Sequence, residues 1–170
     1  MNYSDWEREV PEEIRTDSLW KMEAYRLALF SGDIGWHDVS RLIKDRRTIS
    51  LSDQLYRALG SISGNIEEGY SRGSGKDRAR FYEYALGSAR ESRGWYYKGR
   101  YILGDKVVQH RIKLLTHLIR LLLKMIPHQR GYVIQEPNTP YLSEVPSQNE
   151  ITEVEQELEN LLIHVPLPGT

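Results

Sequence analysis

Residues 51–104 read LSDQLYRALGSISGNIEEGYSRGSGKDRARFYEYALGSARESRGWYYKGRYILG, and this stretch predicts two helices joined by a tight loop. In the first helix, steps of three and four residues connect Leu51, Leu55, Ala58, Ile62, Asn65 and Gly69, with Leu59 and Ile66 beside them. The second helix repeats that spacing in Phe81, Tyr84, Ser88, Glu91, Trp95, Lys98 and Ile102. Because such spacing places residues on one helix face, we expect both stripes to face the core of a helical hairpin.

Polar residues and glycines interrupt both stripes at mid-length. We expect a buried polar network that fixes the register of the two helices, as single polar residues do in coiled-coil seams. Its predicted members are Asn65, Glu68, Ser88 and Glu91. Glycines also lie inside the helices, at positions 60, 64, 87 and 94. A glycine inside a helix costs ~1 kcal/mol relative to alanine, so these glycines predict helix backbones in close approach.

The loop between the two helices, residues 71–77, reads SRGSGKD. Ser74 followed three residues later by Asp77 resembles a capping box, and either glycine of the loop suits the end of a helix. A phosphate-binding P-loop fits poorly, because Gly69 lies one residue too far from the Gly-Lys pair and Asp77 stands where Ser or Thr would hold magnesium. A helix rather than a strand also precedes the loop. We therefore expect a capped turn.

No residue pattern indicates catalysis or a metal site. The five histidines include no pair three or four residues apart, and His110 and His117 lie two turns apart, about 10 Å, too far to share a metal directly. The Glu-x-x-His motif of di-iron bundles is absent. The chain has no cysteine, which suits a reducing cytoplasm. We expect no enzymatic activity, no cofactor, no signal peptide, no membrane span and a cytoplasmic location.

The hairpin resembles a known double signature, in which SISGNIEEG at residues 61–69 is followed across a short loop by RFYEYALGSARES at residues 80–92. It is similar to a family of small bacterial four-helix-bundle proteins. That family includes proteins encoded in intervening sequences of 23S ribosomal RNA genes and the accessory variability proteins of diversity-generating retroelements. The matching residues are Gln54, Arg57, Ala58, Ser61, Ile62, Asn65, Ile66, Glu68, Gly69, Arg80, Phe81, Ala85, Gly87, Ser88 and Glu91.

The resemblance covers residues 17–131 and carries implications for assembly and function. It implies a four-helix bundle that forms a ring-shaped homopentamer, has no known enzymatic activity and, in some members, binds nucleic acid. It assigns no catalytic role to any residue. Residues 132–170 are an addition to the family pattern.

The rest of the chain supplies two further bundle helices and two acidic ends. We expect helices over residues 17–45 and 105–126, the second ended by Pro127. Together with the two hairpin helices and the short connections between them, these helices predict an all-α fold. The predicted architecture is an antiparallel up-down four-helix bundle with an extra C-terminal helix. Residues 1–16 predict an acidic, mobile N-terminal arm, and residues 132–170 an acidic proline-containing linker followed by an amphipathic helix over residues 149–164. Leu114, Leu121 and Met125 lie off the expected core face and predict a homo-oligomer.

The net charge of −1 conceals a strong division along the chain. Residues 17–131 carry +9, residues 1–16 carry −3, and residues 132–170 carry −7. A bundle this basic exceeds what solubility requires. The candidates for binding nucleic acid are Arg72, Lys76, Arg78, Arg80, Arg90, Arg93, Lys98 and Arg100. Trp95, Tyr96 and Tyr97 suit base stacking, although a core position for Trp95 and a subunit interface for the two tyrosines are favoured.

Two functions stay open at the level of sequence. The first is a non-catalytic homo-oligomeric module that binds RNA or DNA through a basic surface, as an accessory to an RNA-processing protein or a reverse transcriptase. The second is a structural or protein–protein adaptor with no nucleic-acid binding, whose basic face meets an acidic partner. In the first case, the acidic C-terminal helix is expected to dock on the bundle and compete with phosphates. In the second, it only covers an apolar groove.

Overall fold

The computed structural model describes residues 2–130 and 148–169, and every regular element in these residues is helical. The elements are α1 (Tyr3–Glu9), α2 (Glu12–Arg15), a 3₁₀ helix (Ser18–Lys21), α3 (Glu23–Leu42), α4 (Ile49–Tyr70), α5 (Gly75–Lys98), α6 (Arg100–Leu103), α7 (Asp105–Arg130) and α8 (Gln148–Ile163). The predicted all-α class is confirmed for this part of the chain.

The four long helices enclose one hydrophobic core. Helix α4 packs on α5, α5 on α7, α7 on α3, and α3 on α4. Fully buried side chains at the centre are Phe30, Ile34, Leu42, Leu55, Leu59, Ile62, Ile66, Leu118, Leu122 and Ile126. Burying one such side chain stabilises the fold by about 1.5–3 kcal/mol relative to its exposure, so this cluster dominates the packing energy.

The predicted hairpin is formed by α4 and α5, and its turn is capped as the sequence indicates. The Ser74 hydroxyl accepts a hydrogen bond from the Asp77 amide at 3.1 Å and donates one to the Asp77 carboxylate at 2.6 Å. In α4 the predicted stripe is mostly correct, since Leu55, Ile62 and Gly69 are buried. The turn and the phase of α4 therefore follow directly from local sequence.

The predicted core stripe of α5 is wrong. The buried residues of this helix are Ala79, Tyr82, Ala85, Leu86, Ala89, Ser92 and Tyr96, whereas Tyr84, Glu91 and Lys98 of the predicted stripe are exposed. Small side chains let α5 lie close to its neighbours: a Cβ atom on Gly69 of α4 would stand 2.7 Å from the Tyr82 ring. Close packing of small residues, rather than the largest apolar side chains, sets the phase of α5.

The interior glycines at positions 60, 64, 87 and 94 do not mark close approaches within the chain. Among the described residues, a Cβ atom on any of them would meet no atom outside its own stretch of helix within 4 Å. The prediction of close backbone approach at these positions is therefore wrong for the described part of the chain. Tight positions on the hairpin are instead Gly69, next to the last residue of α4, and Gly75, where a Cβ atom would clash with the Gln129 carbonyl oxygen.

Helix α3 is shorter than predicted at both ends, and α7 is longer than predicted at its C-terminal end. Helix α3 starts later, because Asp17 caps the 3₁₀ helix by accepting a hydrogen bond from the Leu19 amide at 2.8 Å. Helix α7 continues past Pro127 to Arg130, since a proline one turn from the end removes only one backbone hydrogen bond. Leu114 is buried, and Leu121 and Met125 pack against the core, so the surplus apolar face predicted on α7 is covered within the chain.

The segment predicted to be a mobile arm, residues 1–16, forms α1 and α2 and packs on the bundle. Trp6 is only 4% exposed, and its ring lies 5.1 Å from that of Phe30. The Trp6 indole N–H donates a hydrogen bond to the Asp33 carboxylate at 2.5 Å. This described part of the N-terminus is therefore helical and packed rather than a mobile arm, and the domain boundary after residue 16 stays a prediction.

Helix α8 lies within one residue of its predicted bounds and packs on α7 and α1. Leu158, Leu162 and Val165 contact the core from outside and are half-buried. The predicted linker falls mostly on residues 131–147, outside the described residues. The C-terminal helix is thus an addition laid over the surface of the bundle.

Candidate nucleic-acid interface

The stripe that the spacing assigned to the core is an exposed to half-buried face of α5. It runs from Arg80 to Lys98, about 27 Å along the helix at 1.5 Å per residue. Aromatic and basic side chains lie towards its two ends, with Ser88 and the exposed Glu91 carboxylate between them, and Arg72 reaches it from the loop after α4. We call this set the aromatic–basic face, and its members are Arg72, Arg80, Phe81, Tyr84, Trp95 and Lys98.

Each cation on this face lies over an aromatic ring. The guanidinium carbon of Arg72 is 4.6 Å from the centroid of the Phe81 ring. That of Arg80 is 5.7 Å from the Tyr84 ring, and Arg80 Nε donates to the Tyr84 hydroxyl at 2.7 Å. Such contacts orient cations that would otherwise move freely, at ~0.5–1 kcal/mol each when exposed.

The C-terminal end of α5 repeats the pattern, on the face through Lys98 and on another side of the helix through Arg100 of α6. Lys98 Nζ lies 4.0 Å from the Trp95 ring centroid. The Arg100 guanidinium lies 4.1 Å from the Tyr97 ring and 4.2 Å from the Tyr101 ring, and Tyr101 is 81% exposed. Both ends of α5 therefore present ring faces and positive charge to solvent.

A shallow groove of about 400 Å³ lies at the Arg72 end of the face. It is lined by Arg72, Asp77, Arg80, Phe81 and Tyr84. A planar guanidinium recognises phosphate oxygens with paired N–H donors, and an exposed ring offers a surface for a base. The groove thus has the two chemical features that single-stranded nucleic acid requires.

The predicted basic residues do not all lie on this face. Arg72, Arg80 and Lys98 do, and Lys76 is exposed in the first turn of α5. Arg100 lies in α6, over the rings of Tyr97 and Tyr101. Arg78 is half-buried and donates to the Arg72 carbonyl at 3.0 Å. Arg93 turns towards α7 and donates to the Thr116 hydroxyl at 3.1 Å. Arg90 is exposed on another side of α5. The structure therefore brings three of the eight candidates together on the face.

The predicted buried polar network is not formed within the chain. Asn65 donates to the Ser61 carbonyl at 2.7 Å, and Ser88 donates to the Tyr84 carbonyl at 3.0 Å. The two carboxylates are exposed and also bond within one turn. Glu68 pairs with Arg72 at 3.2 Å, and Glu91 accepts from the Trp95 indole at 3.0 Å. The misplaced phase of α5 explains the error, because it turns Ser88 and Glu91 away from the core.

The same phase error affects the Trp-Tyr-Tyr group. Trp95 is half-buried rather than in the core, and Tyr96 is the buried member, at 1% exposure. Tyr97 is exposed, and its predicted place at a subunit interface stays a prediction. One aromatic ring of the three is therefore structural and two are available at the surface.

A buried polar cluster that the sequence analysis missed lies between α3, α5 and α7. Arg111 Nε donates to Asp38 Oδ2 at 2.8 Å, and Arg111 Nη2 donates to Oδ1 at 3.2 Å. The Tyr96 hydroxyl donates to the same carboxylate at 2.8 Å. Both charged residues are almost completely buried, and burial raises the pKa of Tyr96 well above its usual value. This paired charge holds three helices in register.

His110 extends the cluster to the C-terminal segment. Its Nε2 lies 2.8 Å from the Leu161 carbonyl, which only accepts, so Nε2 carries the proton. Its Nδ1 then accepts from Arg111 Nη1 at 2.9 Å. Burial lowers the pKa of His110 to about 4, with the positive charge of Arg111 acting in the same direction. The sequence signal that could have revealed this cluster is the presence of Asp38 on the apolar stripe of α3 and of Arg111 on that of α7.

Neither a metal centre nor a membrane span is found in the part of the chain that the structure describes. Within residues 2–130 and 148–169, no three His, Asp or Glu side chains are grouped to hold a metal ion. No helix in the same residues combines the length and apolarity needed to cross a bilayer.

Comparison with known proteins identifies the family. A family model described as 23S rRNA-intervening sequence protein matches residues 33–128, which is more than half of the chain. The match spans α4, α5, half of α3 and most of α7, and so includes the aromatic–basic face. Searches of curated proteins and of solved structures gave no match. On the family match, the chain belongs to the 23S rRNA-intervening sequence protein family.

Proposed function

We propose that the protein is a non-catalytic, homo-oligomeric module that binds nucleic acid through the aromatic–basic face of α5. The observation that carries this proposal is the repeated placement of a cation over a ring at the surface, with Phe81 and Trp95 half-buried and Tyr84 exposed. Cations neutralise phosphates, and rings stack on bases at about 1–3 kcal/mol per base. RNA is the first ligand to test, because the description of the family refers to a ribosomal RNA gene.

Charge and packing support the same proposal. Residues 17–131 carry +9, and several of these charges lie along one helix face. Short connections between successive packed helices favour an antiparallel up-down arrangement of α3, α4, α5 and α7. Such a rigid bundle presents the face without reorganisation. An RNA-processing protein or a reverse transcriptase is the kind of machine that such a module would assist.

A second candidate function is a protein–protein adaptor, and a different surface favours it. Trp36 of α3 is 56% exposed and lies 5.8 Å from the ring of Tyr56 on α4, which is 44% exposed. Exposed paired aromatic side chains are enriched in protein interfaces. This pair lies away from the aromatic–basic face, so each candidate function can be tested separately.

The test measures binding of a fluorescent single-stranded RNA of about 20 nucleotides at several salt concentrations. The variant Arg80→Ala with Lys98→Ala removes two cations from the face, and Lys44→Ala with Arg46→Ala removes two exposed cations elsewhere. We expect the first variant to bind more weakly, with a log–log salt slope reduced by about 2. The control should retain the original slope. Equal binding by both variants contradicts the proposed face, and no binding by the unaltered protein contradicts the function.

A further inference from the structure

We propose that α8 and the residues after it form a displaceable strap over a second phosphate-binding surface on α7. The inference rests on the proposed nucleic-acid binding and adds a ligand surface and its built-in competitor. The surface is formed by His110, Arg111, Lys113, His117 and Arg120, and we call it the α7 basic groove. It lies on a different helix from the aromatic–basic face.

An acidic side chain of the strap occupies this groove as a phosphate would. Glu157 pairs with Lys113, its Oε1 lying 2.8 Å from Lys113 Nζ. The hydrogen bond from Lys113 lowers the pKa of Glu157, and the charge of Arg120 acts in the same direction. A cavity of about 160 Å³ between the two helices is lined by Lys113, His117 and Arg120 together with polar and apolar side chains of both helices. Two carboxylates already lie beside the groove, since Glu23 is 3.5 Å from His117 and Asp38 pairs with Arg111. Its attraction for an anion therefore comes from Lys113 and Arg120.

Backbone carbonyls of the strap satisfy two donors at the base of the groove. His110 Nε2–H donates to the Leu161 carbonyl at 2.8 Å, and Arg111 Nη2 donates to the Pro166 carbonyl at 2.8 Å. If the strap leaves, His110 Nε2–H loses its acceptor, and Arg111 Nη2 keeps only its hydrogen bond to Asp38. Leaving donors unpaired is unfavourable, so a displacing ligand must bring acceptor oxygens of its own. Phosphodiester oxygens provide such acceptors together with the negative charge that suits Lys113 and Arg120.

The strap is attached more weakly than the bundle helices. Every described side chain from residue 152 to residue 169 is half-buried or exposed, whereas α3, α4, α5 and α7 each place several side chains in the fully buried core. Segments with few buried apolar contacts open at lower free energy than the core. The strap can therefore detach while the bundle stays folded, and the ligand chemistry that favours detachment is the phosphate backbone of nucleic acid.

The test compares two full-length variants with the same change of charge. Glu157→Gln removes the carboxylate that faces Lys113, and Glu159→Gln removes an exposed carboxylate two residues along α8. We expect Glu157→Gln to bind the same RNA about fivefold more tightly, the effect of one surface ion pair, with a steeper salt slope. Glu159→Gln should bind as the unaltered protein does. Adding Lys113→Gln to Glu157→Gln should remove the gain.

Hydrogen exchange supplies a readout independent of affinity. We expect saturating RNA to increase amide exchange in residues 148–163 and to leave exchange in α4 unchanged. Equal affinity of Glu157→Gln and Glu159→Gln, or protection of α8 by RNA, overturns the inference while leaving the α5 face intact. If poly-L-glutamate increases amide exchange in α8 as much as RNA does, the preference for phosphate is overturned. If Arg80→Ala with Lys98→Ala also leaves binding unchanged, the proposed face on α5 fails as well, and if the unaltered protein binds no RNA, the proposed function fails.

Discussion

At the scale of single residues, the most constrained side chains are Asp38 and Arg111. They lie on the apolar stripes of α3 and α7, where a lone charge is strongly unfavourable. Arg111 donates two hydrogen bonds to Asp38, and Tyr96 donates a third. The attraction between paired buried charges exceeds their desolvation cost by little. The main effect of the pair is therefore to fix the register and orientation of α3 and α7 rather than to add stability.

The first prediction follows from the cost of separating this pair. Asp38→Ala leaves the Arg111 charge buried without its partner and should lower the free energy of unfolding by about 3–5 kcal/mol. The matched control is Asp53→Ala, which removes an exposed carboxylate 3.9 Å from Arg57 and should have little effect. Urea unfolding measures both. Asp38→Leu combined with Arg111→Met should recover most of the loss, and an equal effect of Asp38→Ala and Asp53→Ala would contradict the assignment.

The second prediction concerns pH and His110. Its pKa in the folded protein is lowered to about 4 from an unfolded value of 6.5. Between these values the unfolded chain binds a proton that the folded chain does not, so stability falls as the pH falls. For this group alone we expect a loss of about 2 kcal/mol between about pH 7 and pH 5. His110→Gln should flatten the pH dependence of urea unfolding in that interval, although the lowered pKa of His117 leaves a residual slope.

At the scale of elements, the two hairpin helices show what sequence spacing can and cannot predict. The leucines and isoleucines of α4 carry a strong periodic signal, and the predicted phase is confirmed by burial of Leu55 and Ile62. The buried side of α5 includes Ala85 and Ala89, whose small side chains give a weaker hydrophobic signal in the sequence than Phe81 and Trp95 do. Periodicity identified both helices, but only tertiary packing selects a small-residue face over a large one.

The phase of α5 also decides how much of the site could be predicted. Composition and charge identified Arg72, Arg80 and Lys98 as candidates, but the aromatic rings beneath these cations were assigned to the predicted core. These cations and rings form a surface only when α5 is placed with its observed side towards the core. The buried pair of Asp38 and Arg111 was missed for a related reason, since two distant residues on different helices gain meaning only when the helices are placed together.

The third prediction tests the close approach of α4 and α5. Gly69→Ala places a Cβ 2.7 Å from the Tyr82 ring, which is rigid and buried, and should lower the free energy of unfolding by about 1–3 kcal/mol. Gly60→Ala, in the same helix, meets open space and should raise the helix propensity by about 1 kcal/mol. Thermal unfolding measures the difference. Similar effects of the two substitutions would show that the hairpin is not packed at Gly69 as described.

At the scale of the whole molecule, the helices of both acidic ends, α1 and α8, pack against the long helices, which carry the positive charge. Charge counting along the sequence indicated this complementarity, and α8 shows it in the pair of Glu157 with Lys113. The docking of α1 was not predictable in the same way. Trp6 stands alone in a polar segment, and its burial against Phe30 depends on a surface that only the assembled α3 provides. Short-range spacing carries no information on such long-range contacts.

The last prediction concerns assembly, and it starts from glycines that the single chain does not explain. Gly64 lies inside α4 on the side away from the core, and no described atom outside its own stretch of helix lies within 4 Å of a Cβ built there. A glycine at this position nevertheless costs ~1 kcal/mol of helix stability, and close approach by a second copy would account for it. We therefore expect a homo-oligomer, a pentamer by family resemblance, when the mass is measured by analytical ultracentrifugation at micromolar concentration. Gly64→Gln should shift the mass towards the protomer without loss of helix content. Gly73→Gln, in the exposed loop before α5, is the matched control and should leave the mass unchanged. A monomeric unaltered protein would exclude the assembly, and an unchanged mass for Gly64→Gln would exclude this face of α4 as its interface.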